Sequence, residues 1–67
     1  MVNIVLLKAE IDDLEIPYGV LAKKCNVSRQ TVNNWLSNPD SISAANAKKL
    51  ADALRITDPD KLLSIFF

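Results

Sequence analysis

Residues 21–38 read LAKKCNVSRQTVNNWLSN, and the spacing of apolar and turn-forming residues in this stretch decides how the rest of the chain is read. Leu21, Ala22 and Cys25 recur at the interval of one helical face, and Val32, Trp35 and Leu36 do so at i, i+3 and i+4. Between the two stripes stand Asn26, a residue type that accepts the left-handed backbone at a helix end, and Ser28, a strong N-cap. The stretch predicts a helix over 18–25, a turn at Asn26 and Val27, and a helix over 28–37. Pro17 fits the first position of the earlier helix, where its missing N–H costs nothing, and Gly19 weakens that helix slightly.

Two short helices joined by a tight turn at a steep angle form a helix-turn-helix unit, here spanning about residues 18–37. The crossing needs a small residue in the first helix, which Ala22 supplies. Leu21, Val27 and Val32 are the apolar residues that lock the pair.

Upstream, Ile4, Leu7, Ile11 and Leu14 follow at helical intervals and fit one face of a helix over 3–14 with Asn3 as its N-cap. A strand over Val2–Leu7 is the rival reading, because Val and Ile suit pleated structure. Downstream, Asn38-Pro39-Asp40 is a break, and Pro39 drives Asn38 out of the helical region. Ser43 caps a fourth helix expected to turn Ala44, Ala47, Leu50, Ala51 and Leu54 inward. Asp58-Pro59 opens a short fifth helix bearing Leu62, Leu63 and Phe66. The expectation is an all-α, compact five-helix single domain over 1–67, without repeat or linker.

Composition narrows the function. With 67 residues the chain suits one domain, and such a domain buries only about 60% of the surface its unfolded chain exposes. Cys25 is the sole cysteine and there is no histidine, so neither a disulfide staple nor a tetrahedral zinc site is expected. No nucleophile–base pair at a recognisable spacing and no Gly-rich phosphate loop points to an enzyme or to a cofactor. The apolar run Ile4–Leu7 is too short for a membrane span or a signal-peptide core, so a cytoplasmic protein is expected, with no membrane partner and no small-molecule ligand evident. Formal net charge is zero, yet its distribution is uneven. Residues 1–15 set Lys8 against Glu10, Asp12, Asp13 and Glu15; residues 52–67 set Arg55 and Lys61 against Asp52, Asp58 and Asp60. The middle carries Lys23, Lys24, Arg29, Lys48 and Lys49 against Asp40 alone, so a polyanion would meet the middle of the chain.

Together, the stretch 21–38 and the segment SISAANAKKLADALRITDPDKLL (41–63) resemble the helix-turn-helix of the phage Cro and repressor superfamily, the XRE-like group. The likeness covers about residues 16–63 and is weak over 1–15. Three positions depart from the family's habit: Pro17 stands where it usually has a Thr cap, Tyr18 where it often has a phosphate-touching Gln, and Asn26 where it commonly has Gly. The resemblance implies a lambda-repressor-like fold and a sequence-specific regulator of double-stranded DNA, most like a small Cro-type repressor from a phage or prophage, bound to its operator as a homodimer.

Placing Val32 at the centre of the buried face and stepping 100° per residue puts Gln30, Asn33, Asn34 and Ser37 on the opposite side of the helix. Arg29 lies on the flank at the helix N-terminus, the end that enters the groove in this motif. Arg pairs bidentately with guanine, and Gln or Asn with adenine. Arg29, Gln30 and Asn34 are therefore the candidates for base readout, with Asn33 and Thr31 in support. Candidate phosphate contacts are Lys23 and Lys24, Tyr18 at the family's phosphate position, Ser41 and Ser43 in the loop, and Asn46 early in the fourth helix, whose N-terminus favours anions. Lys48-Lys49 reads equally as solvated surface or as a phosphate patch, Trp35 as core, and Cys25 as a small buried hydrophobe.

Ile65, Phe66 and Phe67 exceed what a core of this size needs, and exposed apolar residues mark contacts. They are the candidate homodimer interface; the alternative is a tail folded back on its own monomer. A second functional class stays open as well: a protein-interaction module, of antirepressor or antitoxin-adaptor type, that keeps the helix-turn-helix only as a scaffold.

Overall fold

The structure is a computed structural model that describes residues 2–67. Among these residues there are five α-helices and no strand: α1 (Ile4–Asp13), α2 (Tyr18–Cys25), α3 (Arg29–Ser37), α4 (Ala44–Ala53) and α5 (Pro59–Phe66), with a single 3-10 turn over Pro39–Ser41 between α3 and α4. The all-α expectation holds, and the strand alternative over 2–7 falls away. Asn3 caps α1, its side chain accepting from the Leu6 N–H at 3.2 Å. The segment before α1 is tied down elsewhere: the Asn3 N–H donates to the Ile65 carbonyl at the end of α5.

Three helices stop in the same way. Glu15, Asn26 and Arg55 each have a left-handed backbone, with φ of 54°, 58° and 55°. After each, the next residue's N–H reaches back to a carbonyl five residues earlier: Ile16 to Ile11, Val27 to Ala22 and Ile56 to Ala51. These are Schellman stops, in which the residue after the left-handed one is apolar and closes over the last turn. Ile56 is accordingly buried, and Ile16 and Val27 pack against the core.

One core joins all five helices. It comprises Leu7 and Ile11 of α1, Leu21, Ala22 and Cys25 of α2, Val32, Trp35 and Leu36 of α3, Leu50, Ala51 and Leu54 of α4 and its end, Ile56, and Ile65 and Phe66 of α5. The principal packing sets α2 against α3 and α4, and α1 against α5. The second pairing carries an ion pair, Lys61 Nζ to Glu10 Oε1 at 3.1 Å. Being partly exposed, it contributes at most about 1 kcal/mol.

Several expectations are corrected. Pro17 is the N-cap of α2 and not its first helical residue, with extended backbone (φ −63°, ψ 147°) and no side-chain acceptor to offer. Leu14 does not continue the α1 stripe: it is the C-cap, and the reversal at Glu15 leaves it about half exposed while Ile16 takes the inward place. Ala44 is exposed at the first position of α4, and the inward stripe begins only with the half-buried Ala47. Ile65 and Phe66, expected at a dimer interface, are 2% and 7% exposed and belong to the monomer's own core. Both join the core on the side where α5 packs on α1; only Phe67, at 85% exposure, remains outside, with Leu63 one turn before it.

Candidate nucleic-acid interface

The left-handed Asn26 makes the tight turn between α2 and α3. Its N–H donates to the Lys23 carbonyl at 3.1 Å, and the Val27 N–H to the Ala22 carbonyl at 3.0 Å. Asn takes this backbone at lower cost than most residues other than glycine. Ala22, 3% exposed, is the small residue at the crossing, and Val32 is fully enclosed beneath it.

Ser28 then opens α3 with extended backbone, and its Oγ accepts from the Thr31 N–H at 3.1 Å. Ser28 Oγ and Thr31 Oγ1 also lie 3.0 Å apart in a hydrogen bond. Thr31 is half-buried and committed to this cap, which limits it to a supporting part. Helix geometry leaves the first backbone N–H groups of α3 without intrahelical partners, at the end where Arg29 stands.

The two faces of α3 separate cleanly. Val32, Trp35 and Leu36 are buried, while Arg29, Gln30, Asn33, Asn34 and Ser37 are exposed. A row of hydrogen-bonding side chains on the outer face of a helix matches the donor and acceptor pattern of base edges in a groove wide enough for a helix. Gln30 Nε2 donates to Asn34 Oδ1 at 3.3 Å, so two of the readout candidates are already joined. Sequence reasoning had both residues but not this link; its signal was there, since amides four apart on a helix are neighbours.

The expected phosphate contacts divide. Lys23 and Lys24 are exposed in the last turn of α2. Ser43 Oγ accepts from the Asn46 N–H at 3.2 Å, capping α4 and leaving its hydroxyl proton free to donate. Ser41 is occupied, its hydroxyl donating to the Asn38 carbonyl at 2.7 Å to hold the 3-10 turn. Tyr18 is half-buried against the core, so its ring serves packing first. Asn46 is half-buried on the first turn of α4.

Cys25, the one nucleophilic thiol, lies in the core beneath α2, where burial pushes its pKa up despite the opposing influence of Lys49. Among the described residues no helix is long and apolar enough to cross a membrane.

A helix-turn-helix family model matches residues 7–62, a span that begins in α1, contains the whole α2–turn–α3 unit and ends within α5. No curated protein and no solved structure matches the chain.

Proposed function

The chain belongs to the XRE-type helix-turn-helix family of DNA-binding transcription regulators, and from that premise we propose that it is a Cro-like repressor, of phage or prophage type, that reads an operator in the major groove with α3. The observation that carries this reading is the outward face of α3, where Arg29, Gln30, Asn33 and Asn34 stand side by side and exposed. Arg29 would address guanine, and the linked amides of Gln30 and Asn34 an adenine or a pair of neighbouring bases. Lys23, Lys24, Ser43 and the N-terminus of α4 would fix the register by holding the phosphates on either side. Repression would follow from occupancy of the operator by the helix-turn-helix domain.

Selection of duplex DNA from a random pool tests the reading. The expected result is a short enriched motif, recurring as a partly palindromic pair with half-sites about 34 Å apart. Failure to enrich any sequence would overturn sequence-specific readout and favour the helix-turn-helix as a scaffold for protein contacts.

A further inference from the structure

We propose that the open apolar groove between α4 and α5 binds a small organic monocation, an amine carried on an aromatic or branched aliphatic body, and that its occupation tightens the hold on DNA. The groove has a volume of about 640 Å³, within the range of small-molecule sites. Its floor is apolar, formed by Ile42, Ala47, Ala51, Leu62 and Phe66. A protein partner fits it less well, since a stable interface buries about 800 Å² per side, nearly a fifth of the 4389 Å² that this chain exposes.

Charge selects the class of occupant. The ionisable side chains that line the groove are Asp40, Lys48 and Asp52. Lys48 and Asp52 stand one helical turn apart on α4, near enough to offset each other. That leaves Asp40, exposed in the 3-10 turn before α4. Among the described residues the one ion pair is Lys61 with Glu10, so no cation of the chain sits on Asp40. Lys49, the next cation along α4, acts on Cys25 beneath α2 instead. The first turn of α4 supplies only about half a positive charge, and Ser43 already caps it. The groove therefore carries an uncompensated negative charge at the end where α4 begins. An anionic amphiphile is repelled there and a neutral one gains nothing, whereas an amine gains a charge-assisted hydrogen bond.

The same end of the groove borders the DNA side. Ser43 lines it, and Ser43 with the N-terminus of α4 holds phosphate in the function proposed above. Asp40 is the only acid between residues 16 and 51, a stretch that carries Lys23, Lys24, Arg29, Lys48 and Lys49. Left bare, its carboxylate repels a phosphate beside it; an amine seated on it removes that repulsion. The occupant is therefore a corepressor, and by linkage amine and duplex tighten each other's binding by the same factor. This coupling rests on the DNA reading, whereas the amine site does not.

Phenylbutylamine, phenylbutanol and phenylbutanoate share one apolar body and differ in charge. Each is titrated into the isotope-labelled full chain without DNA. The amine is expected to shift the Ile42, Ala47 and Ala51 signals, to leave those of Val5 and Val20, exposed elsewhere, unmoved, and to bind at least about fivefold more tightly than the alcohol. The carboxylate is expected not to bind. Asp40→Asn, at an exposed position and folded by circular dichroism, is expected to erase the preference for the amine; Asp52→Asn, beside Lys48, is expected to keep most of it. Equal binding of the three compounds, shifts outside the groove, or a preference that survives Asp40→Asn would each overturn the site. So would shifts of the same signals with protein concentration alone, the mark of a second copy in the groove.

A second titration measures affinity for the best-enriched duplex with and without saturating phenylbutylamine. The expected gain is about fivefold, and it is expected to vanish in Asp40→Asn. Groove occupation without that gain would overturn the corepressor role. A chain that binds no duplex at all would overturn that role together with readout by α3, while the amine site stands or falls on the first titration alone.

Discussion

Gln30 Nε2 donates to Asn34 Oδ1 across one turn of α3, so the two amides stand on the exposed face as one joined unit. The bond consumes one donor and one acceptor and leaves the Gln30 carbonyl oxygen and the Asn34 NH₂ available to other partners. Pre-ordering two side chains in this way lowers the entropy lost when they meet a base edge.

Gln30→Ala is therefore expected to do more than remove one contact. Readout at one base position should relax by about 1–3 kcal/mol, and Asn34, freed from its partner, should lose part of its own discrimination. Affinities for duplexes carrying each base at each position measure this. Equal loss at every base would contradict the assignment.

Lys24→Ala is expected to weaken all duplexes alike and to reduce the slope of log affinity against log salt by about 1. The wild-type slope should itself be shallow, because formal net charge is zero and the exposed cations beside α3 are few. Titrations at several salt concentrations give both numbers.

Glu15 is expected to be a site of easy stabilisation. Its left-handed backbone (φ 54°) costs an L-residue about 1–2 kcal/mol. It also sits at the negative end of α1, whose last turn already carries Asp12 and Asp13 and no basic residue. Glu15→Gly should raise stability by about 0.5–1 kcal/mol after the entropy of the added glycine is subtracted. Arg55→Gly should gain less, since the cation there suits the end of α4. Thermal melts of the two variants decide the order.

Cys25 is expected to resist thiol reagents at neutral pH while the chain is folded, because burial raises its pKa above the ordinary value of 9.0. The linkage follows from that direction. Above the unfolded thiol's pKa the unfolded chain loses its proton first, so stability present below that point is lost as pH rises toward the folded value. Cys25→Ser removes this alkaline loss, although the buried hydroxyl costs stability at every pH. Melts between neutral and alkaline pH should show parallel curves for the variant and a falling one for the wild type.

The sequence was most legible where local chemistry and helical period agreed. Asn26, Ser28 and the Val32–Trp35–Leu36 stripe fixed the motif, and Ser43 and Asp58 with Pro59 marked the later helix starts. Glu15 and Arg55 escaped notice because neither residue type signals a left-handed stop; what marks those stops is the apolar Ile16 or Ile56 that follows. The tail misled because apolar content does not say which residues a small core absorbs. α5 turns Ile65 and Phe66 inward together and leaves Phe67 out. In the candidate interface the helical wheel alone separated Gln30, Asn33 and Asn34 from the buried face. The occupation of Ser41 and Thr31 by local hydrogen bonds required coordinates.

The most direct measurement of the central claim follows the side-chain amide signals of Gln30, Asn33 and Asn34 in the labelled protein as its best-enriched duplex is added to saturation. The account predicts that all three shift, with Gln30 and Asn34 moving together. Saturation that leaves these amides unmoved while signals elsewhere respond would contradict readout by α3.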